Sequence, residues 1–349
     1  MEPLKVGIVG LGWVSTSHAL TFRENPGTEI VAVCSRRKWD PKELAAIYGD
    51  KAKLYNDYNE FLNHPDLDVV DICTPHHLHP EQAIAAAKKG KHLMIEKPLA
   101  LDWESLKDMK KAVEGAKVKS AVYCELRFIP HMSLVQSILG QNLIGPVHHI
   151  EVDYYHGIGP WYGQWEWHRT KKYGRSALLT AGIHSLDALL YFKGVDGKKL
   201  SVEEVYAYST KTKSEVLKGY EYDSTSAAIL QFSDGTVGKC VSCVDARQPY
   251  LFNIHIIGSD GTIWNDKFWT TKLEGVKADE WIELPTTQAE SGDVLAHPYG
   301  PQVQDFVDRV SKGEDSAVNF EEAFKTHHVA FAIEKSLEEK RPVKLSELK

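Results

Sequence analysis

Cysteine is scarce and unframed in this chain. There are five, at positions 34, 73, 124, 240 and 243, an odd count without disulfide spacing, which points to a reducing compartment. Cys240-Val-Ser-Cys243 is a lone CxxC in a strand-like run. Residues three apart on a strand face opposite sides, so two buried thiols are expected rather than a redox or zinc pair. No apolar run is long enough to span a bilayer. A first strand beginning by Leu4 leaves no room for a signal peptide, so a cytoplasmic protein is expected. Positive charge is not in excess: 41 Lys and Arg stand against 48 Asp and Glu, a formal net charge of −7. Nothing there calls for a nucleic acid or an anionic membrane as partner. Internal repeats and low-complexity linkers are absent as well.

What is present begins with an apolar run, Leu4–Val9, which reads as a buried strand. Gly10-Leu-Gly12-Trp13-Val14-Ser15 follows and opens a helix through His18 and Phe22. Glycine at 10 permits a tight turn, and glycine at 12 lets backbone approach a pyrophosphate. The helix amino end then supplies N–H groups and a favourable dipole for the phosphates. Ser15 stands where a third glycine is usual and is still small enough for close packing of helix on strand. Set between a strand and a helix, this stretch is read as a dinucleotide site in preference to an ordinary βα turn.

The second strand, Glu29–Cys34, ends in Ser35-Arg36-Arg37-Lys38. An NAD site usually carries an acidic residue there to accept from the ribose hydroxyls. Here no carboxylate repels a 2′-phosphate, and a guanidinium can pair with one. NADP is therefore the expected cofactor, with NAD possible. The plainer reading is a solvated basic turn.

Strand and helix signals go on alternating through Val69–Cys73, Glu81–Lys89, His92–Glu96, Trp103–Glu114 and Ser120–Cys124, the mark of a parallel sheet with crossover helices. Thr74-Pro75-His76-His77-Leu78-His79 lies on one βα loop. No carboxylate or cysteine stands beside these histidines at ligand spacing, so no metal is expected, and the loop is read as lining the nicotinamide side of the cleft. In His92-Leu-Met-Ile-Glu96-Lys97-Pro98, an apolar strand ends in a carboxylate and an amine. Both fall at the carboxyl edge of the sheet, where open α/β sheets bind ligands. A strand-end salt bridge is the plainer alternative. The glycine turn before it and a His-bearing helix after it make Lys97 the foremost reactive-site candidate.

After Glu125-Leu-Arg127-Phe128-Ile-Pro130 the pattern changes. Alternating segments at Val147–His156, Val202–Ser209, Ser226–Phe232, Thr236–Cys243 and Leu251–Ile257 argue for an antiparallel sheet, and Asp234-Gly235 is a strong hairpin signal. The expected division is a Rossmann dinucleotide-binding domain over 1–124 and a substrate-binding and oligomerisation domain over 125–349. The stretch His156–Arg169 is rich in aromatic rings, above all from Trp161 onward. It reads equally as a sugar-stacking flap, with Trp165 and His168 facing substrate, or as packing onto the sheet or another subunit. Tyr299 is a further substrate-side candidate. At helical spacing Thr180, His184, Asp187 and Tyr191 form a polar stripe beside the apolar Leu179, Ile183, Leu186 and Leu190. A ligand cleft would explain that stripe.

Taken together and in this order, Gly10-Leu-Gly12 with His18, Thr74-Pro75 with His79, Glu96-Lys97-Pro98, Arg127-Phe128-Ile-Pro130, and Gly182-Ile-His184 with Asp187 resemble the glucose–fructose oxidoreductase / inositol dehydrogenase / rhizopine catabolism (Gfo/Idh/MocA) family over essentially the whole chain. The resemblance implies an amino-terminal Rossmann domain and a carboxyl-terminal α/β domain with a large, mostly antiparallel open sheet. That sheet often forms a dimer or tetramer interface, so a homodimer or homotetramer is implied. It also implies hydride transfer between a nicotinamide cofactor and a sugar, glycoside or polyol, with Lys97 and His184 matching the catalytic pair. Glu96 and Lys97 then also face the cofactor, and Arg127 and Thr180 the substrate. Two departures stand out: Gly174-Arg175-Ser176 replaces the usual Gly-Gly-Gly, and Thr180 replaces an aspartate that binds a substrate hydroxyl in many members. The second puts the usual substrates in doubt more than the chemistry.

Histidine, with an ordinary pKa of about 6.5, suits proton exchange near neutrality better than lysine at about 10.4. His184 is accordingly assigned as general acid/base and Lys97 as the charged donor that holds the reacting oxygen. A bound nicotinamide cation could ease deprotonation of Lys97, so shared or reversed roles stay open. The rivals are an NAD-dependent glycosidase working by transient oxidation and elimination, and a non-catalytic sugar or redox sensor. Retention of Glu96-Lys97-Pro98 together with His184 counts against the sensor.

Overall fold

A computed structural model describes residues 2–194, 201–287 and 297–349. Two compact units divide the chain: Met1–Glu125 with Asp293–Lys325, and Leu126–Gly292 with Thr326–Lys349.

The first unit alternates strand and helix. Its elements are β1 (Leu4–Val9), α1 (Trp13–Glu24), β2 (Thr28–Cys34), α2 (Pro41–Tyr48), β3 (Lys53–Tyr55), α3 (Tyr58–Leu62), β4 (Val69–Ile72), α4 (His79–Lys88), β5 (His92–Ile95), α5 (Trp103–Ala116) and β6 (Ser120–Val122). Among the described residues the six strands form one sheet, ordered β3-β2-β1-β4-β5-β6 and parallel throughout. Both faces of such a sheet are covered, so its strands read as continuous apolar runs. β4 is buried at every position and carries one charge, Asp71. Aspartates begin three of the helices: Asp40 accepts from the Lys42 and Glu43 amides, Asp57 from Glu60, and Asp102 from Ser105. Each such cap stabilises its helix by about 1 kcal/mol.

The second unit holds α6 (Pro130–Gly140), β7 (Val147–Tyr155), α7 (Trp165–His168), α8 (Ile183–Lys193), β8 (Val202–Thr210), β9 (Thr225–Phe232), β10 (Val237–Cys243), β11 (Leu251–Gly258), β12 (Gly261–Trp264), β13 (Lys267–Thr270) and β14 (Ile282–Glu283). After α9 (Tyr299–Val310) and α10 (Phe320–Glu339), the short β15 (Val343–Lys344) closes the chain's pairing. Among the described residues nine strands form a sheet ordered β14-β13-β12-β11-β7-β10-β9-β8-β15. All neighbours are antiparallel except β7 and β10. β9 alternates buried and exposed residues along its length, the pattern of a sheet with one packed and one open face. α8 lies on the packed face against β7 and β10. A Cβ at Gly182 would lie 1.9 Å from Ser242 Oγ, so glycine permits that approach.

The division is not a single cut near residue 125, because α9 belongs to the first unit. Gln302 on α9 donates to the Val122 carbonyl, and the Val318 carbonyl accepts from the Val122 amide at 2.8 Å. The open edge of β6 is thereby satisfied by a segment far away in sequence.

Candidate active site

The order of strands in the first sheet reverses direction between β1 and β4, and ligands of open α/β sheets sit outside the carboxyl ends at such a point. Gly10 occupies that position. Its φ is +91°, and a Cβ there would lie 2.7 Å from the Cys73 and Thr74 backbone, so only glycine fits. At Gly12 an added Cβ meets nothing within 4 Å. Among the described residues there is thus room beside Gly12, and the first turn of α1, with Trp13 and Val14, carries no acidic residue to repel a phosphate. Ser15 is buried. Its hydroxyl bonds the Gly12 carbonyl at 2.7 Å and lies 2.9 Å from the Tyr48 hydroxyl, tying α1 to α2. These residues fit a dinucleotide pyrophosphate.

At the end of β2, Arg36, Arg37 and Lys38 are exposed. The Ser35 hydroxyl accepts from the Arg37 amide at 3.1 Å and from the Trp39 indole at 3.4 Å, which folds the turn back on itself. Beyond β4, Pro75 leads a short helical turn in which His76 is buried and His77 exposed. Thr74 donates its hydroxyl to Gln82 at 2.6 Å. The ring of His79 sits between the carbonyls of Thr74, at 2.7 Å, and Pro98, at 2.8 Å. It thereby links the loops after β4 and β5. Lys97 is half-buried and precedes a cis Pro98. Its amide donates to Glu96 Oε2 at 3.1 Å.

Behind Glu96 lies a buried cluster. His18 Nδ1 is 3.0 Å from Asp71 Oδ2, and Cys73 Sγ is 3.1 Å from each of those atoms. The Tyr123 hydroxyl donates to Asp71 Oδ1 at 2.9 Å. Tyr123 stacks on the imidazole at 4.0 Å, and Tyr299 meets it edge-on at 4.7 Å. Tyr299, a substrate-side candidate by sequence, is thus packed inside the first unit. Asp71 was the legible sign of this cluster, since a carboxylate in an otherwise apolar buried strand needs partners.

In the second unit, a π-helical turn over Leu178–Gly182 runs directly into α8, a feature common near functional sites. Thr180 is fully buried and donates to the Gly174 carbonyl at 2.8 Å. His184 is buried, with its ring 6.5 Å from that of Tyr154. Tyr154 and His156 both contact Tyr250, and Tyr154 Oη lies 3.2 Å from His156 Nδ1. Sequence reading did not single out Tyr154 or Tyr250. The cross-strand placing of β7 gathers these rings, and local pattern does not reveal it.

Arg127 forms a bidentate pair with Asp187, and its guanidinium lies over the Tyr191 ring at 4.7 Å. Trp165 is buried edge-on to Tyr220 at 4.9 Å. His168 is buried too, beside Tyr162 and Trp167, and its carbonyl accepts from the Tyr222 hydroxyl at 2.9 Å. The five cysteines are free and buried. Cys240 contacts Ser185 of α8, whereas Cys243 contacts Thr225 and Asp245.

A parallel sheet with this glycine turn and a helix amino end free of acidic residues has the form of a dinucleotide-binding domain. Residues 4–124 match the Gfo/Idh/MocA oxidoreductase family with its NAD-binding Rossmann fold, and residues 132–264 match the carboxyl-terminal domain of the same family. The chain belongs to the Gfo/Idh/MocA family and is an NAD-binding oxidoreductase. It is 27% identical to myo-inositol 2-dehydrogenase of Thermotoga maritima, over 99% of each chain. To levoglucosan dehydrogenase of Pseudarthrobacter phenanthrenivorans it is 28% identical, over 75% of this chain and 73% of that one. A solved structure of levoglucosan dehydrogenase with NADH and levoglucosan shares the fold: TM-score 0.83 and 23% identity, covering 99% of this chain and 100% of that one.

Proposed function

We propose that this protein moves a hydride between NADP(H) and a hydroxyl or ketone of a sugar, glycoside or polyol, with His184 as general acid/base and Lys97 stabilising the reacting oxygen. The carrying observation is the glycine cradle at Gly10 and Gly12, with Glu96-Lys97-Pro98 ending β5 two strands from β1 in the same sheet. Relatives named for inositol and levoglucosan support the substrate class. When bound, the nicotinamide supplies the hydride acceptor. Lys97 donates a hydrogen bond to the substrate oxygen and offsets the negative charge that develops on it. His184 takes the hydroxyl proton on oxidation and returns one on reduction. Ser35, Arg36 and Arg37 support a 2′-phosphate: the two arginines are exposed, and the stretch Ser35–Lys38 itself contains no carboxylate. NAD remains a usable alternative cofactor, as NADH serves the levoglucosan relative in its solved structure.

A homodimer or homotetramer through the open face of the nine-stranded sheet completes the reading. Along one cross-strand row that face presents Tyr206, Ile229, Lys239, Glu151, His255 and Trp264. Ile229 and Trp264 are among its large exposed apolar side chains. Free cysteines support a cytoplasmic setting, and among the described residues no helix is long and apolar enough to cross a membrane. The test is nicotinamide absorbance on a panel of sugars, anhydrosugars and inositols, with NADP and NAD compared. Oxidation of at least one with net cofactor reduction is expected. Substrate cleavage without net reduction would instead show glycosidase chemistry.

A further inference from the structure

We propose that His18 is a positioning residue for Lys97, acting through Glu96: one imidazole nitrogen is anchored on Asp71 and the other faces the carboxylate that holds the Lys97 amide. The inference rests on the functional reading above.

The geometry spans three elements: β4, α1 and the end of β5. Asp71 on β4 holds Nδ1 at 3.0 Å. On the far side of the ring, Nε2 lies 3.3 Å from Glu96 Oε1, an ion-pair approach without the alignment of a full hydrogen bond. Glu96 then uses Oε2 to accept the Lys97 amide. Both oxygens of Glu96 therefore have a neighbour. The imidazole cannot tilt, because Tyr123 stacks on its face and Tyr299 abuts it edge-on.

Charge favours the same arrangement. Burial alone would depress the His18 pKa, but the charge of Asp71 and the contacts that Nδ1 makes with Asp71 and Cys73 more than reverse that and hold it well above its ordinary value. Burial pushes the Cys73 thiol far up, so it stays protonated and can donate to Asp71. Burial pushes Glu96 up, but contact with His18 and the nearby charges of His18, Lys97 and His79 prevail and hold its carboxyl below the usual range. Among the described residues the phenols of Tyr123 and Tyr299 face the ring and that of Tyr48 lies near it, and burial pushes those of Tyr48 and Tyr123 up. A buried imidazolium between two carboxylates is compensated on both sides, as a charge in such a place must be.

Two substitutions separate positioning from mere packing. The amide of His18→Asn can reproduce the Nδ1 contact with Asp71, whereas that of His18→Gln reaches toward the position of Nε2. The structure predicts that His18→Asn keeps cofactor affinity and substrate KM but loses kcat by about 10- to 100-fold, the range seen when the outer partner of a site residue is lost. His18→Gln should recover a large part of that loss. In His18→Asn the acid limb of the pH–rate profile should also move upward, because Glu96 loses the neighbour that keeps it ionised. Equal kcat in the two variants, or an unmoved acid limb, would overturn the proposal.

Nitrogen-15 histidine spectra of the intact protein, with the His18 signals assigned by loss in His18→Gln, test the contact without turnover. Both ring nitrogens should stay protonated at pH 7.5, and Glu96→Gln should shift Nε2 while leaving Nδ1 in place. An Nε2 signal indifferent to Glu96→Gln overturns the proposal even if the enzyme oxidises sugars. The expected shift in a protein that oxidises none would overturn the functional reading instead. Stoichiometric zinc on His18, Asp71 and Cys73, measured by elemental analysis, would overturn the His18 proposal, because the metal would replace the proton on Nδ1.

Discussion

Arg127 Nε lies 2.6 Å from Asp187 Oδ2, and Arg127 Nη2 lies 2.7 Å from Asp187 Oδ1, both side chains being buried. Thr326 adds a third bond to the same carboxylate at 3.0 Å. Asp187 sits one helical turn beyond His184, so this fork sets the rotation of α8. Removing one partner from a buried ion pair typically costs about 3–5 kcal/mol, because the other charge is stranded. Asp187→Asn should show a loss of that size in urea unfolding. The double change Arg127→Met with Asp187→Leu should recover part of it. If the double variant were no better than the single, the pair would not be the source of the loss.

His184→Asn should retain cofactor affinity but lose about 10²–10⁴-fold in turnover at neutral pH, with partial recovery at higher pH as solvent base takes over. Lys97→Ala should lose turnover without that recovery, because what is missing is a fixed donor and not a proton acceptor. Steady-state rates from pH 6 to 10 on cofactor-saturated protein decide the matter. A His184 variant with normal rates across that range assigns the base elsewhere.

Arg36 is exposed at the end of β2 beside a serine already folded into its own turn. Binding titrations should show NADP(H) held more tightly than NAD(H). Arg36→Ala should weaken the phosphorylated cofactor by about tenfold and leave the other unchanged, as loss of one charge-assisted contact implies. Equal affinities that survive the change would refute the preference.

Trp165 is buried against Tyr220, and a Cβ at Gly219 would come 2.8 Å from the indole. Trp165→Ala should therefore cost about 3–5 kcal/mol of stability through the cavity it leaves, read as a lower urea midpoint. An unchanged midpoint with a raised substrate KM would give the indole a binding role instead.

Asp153 on β7 accepts the Val241 amide at 2.8 Å and lies beside Glu151 and Lys239. Burial first, then contact with Glu151, pushes its carboxyl up to about 6. A carboxyl raised in the folded state contributes stability that is full below its unfolded pKa, near 4, and is lost as pH rises through about 6. Asp153→Asn keeps the acceptor for Val241 and removes the ionisation. Relative to the unsubstituted protein it should therefore gain roughly 2 kcal/mol between pH 4 and 7. Urea unfolding at three pH values tests this, and a difference independent of pH would contradict it.

Sequence by itself determined the parts that depend on neighbours in the chain. Apolar runs broken by Gly10-Leu-Gly12 gave a parallel sheet because the turn, the strand and the helix dipole are all local. Alternation in Thr225–Phe232 gave a one-faced antiparallel strand for the same reason. The residues at the carboxyl edges of β1, β2, β4 and β5 were legible as a group, since a parallel sheet fixes which end of each strand faces the ligand.

Tertiary structure decided the partners. Arg127 and Thr180 have the residue types of substrate ligands, yet one is forked onto Asp187, 60 positions away, and the other donates to Gly174 across a π-helical turn. A regular helical period could not foresee that turn, because its extra residue leaves no mark in the spacing of apolar positions. Tyr299 met His18 only because α9 returns to the first unit across nearly three hundred residues of chain. His18 itself could be read as a helix residue. Its place between Asp71 and Glu96 follows from the sheet's strand order, which sets β4 beside both β1 and β5, and pairing of that kind is a long-range choice made by burial.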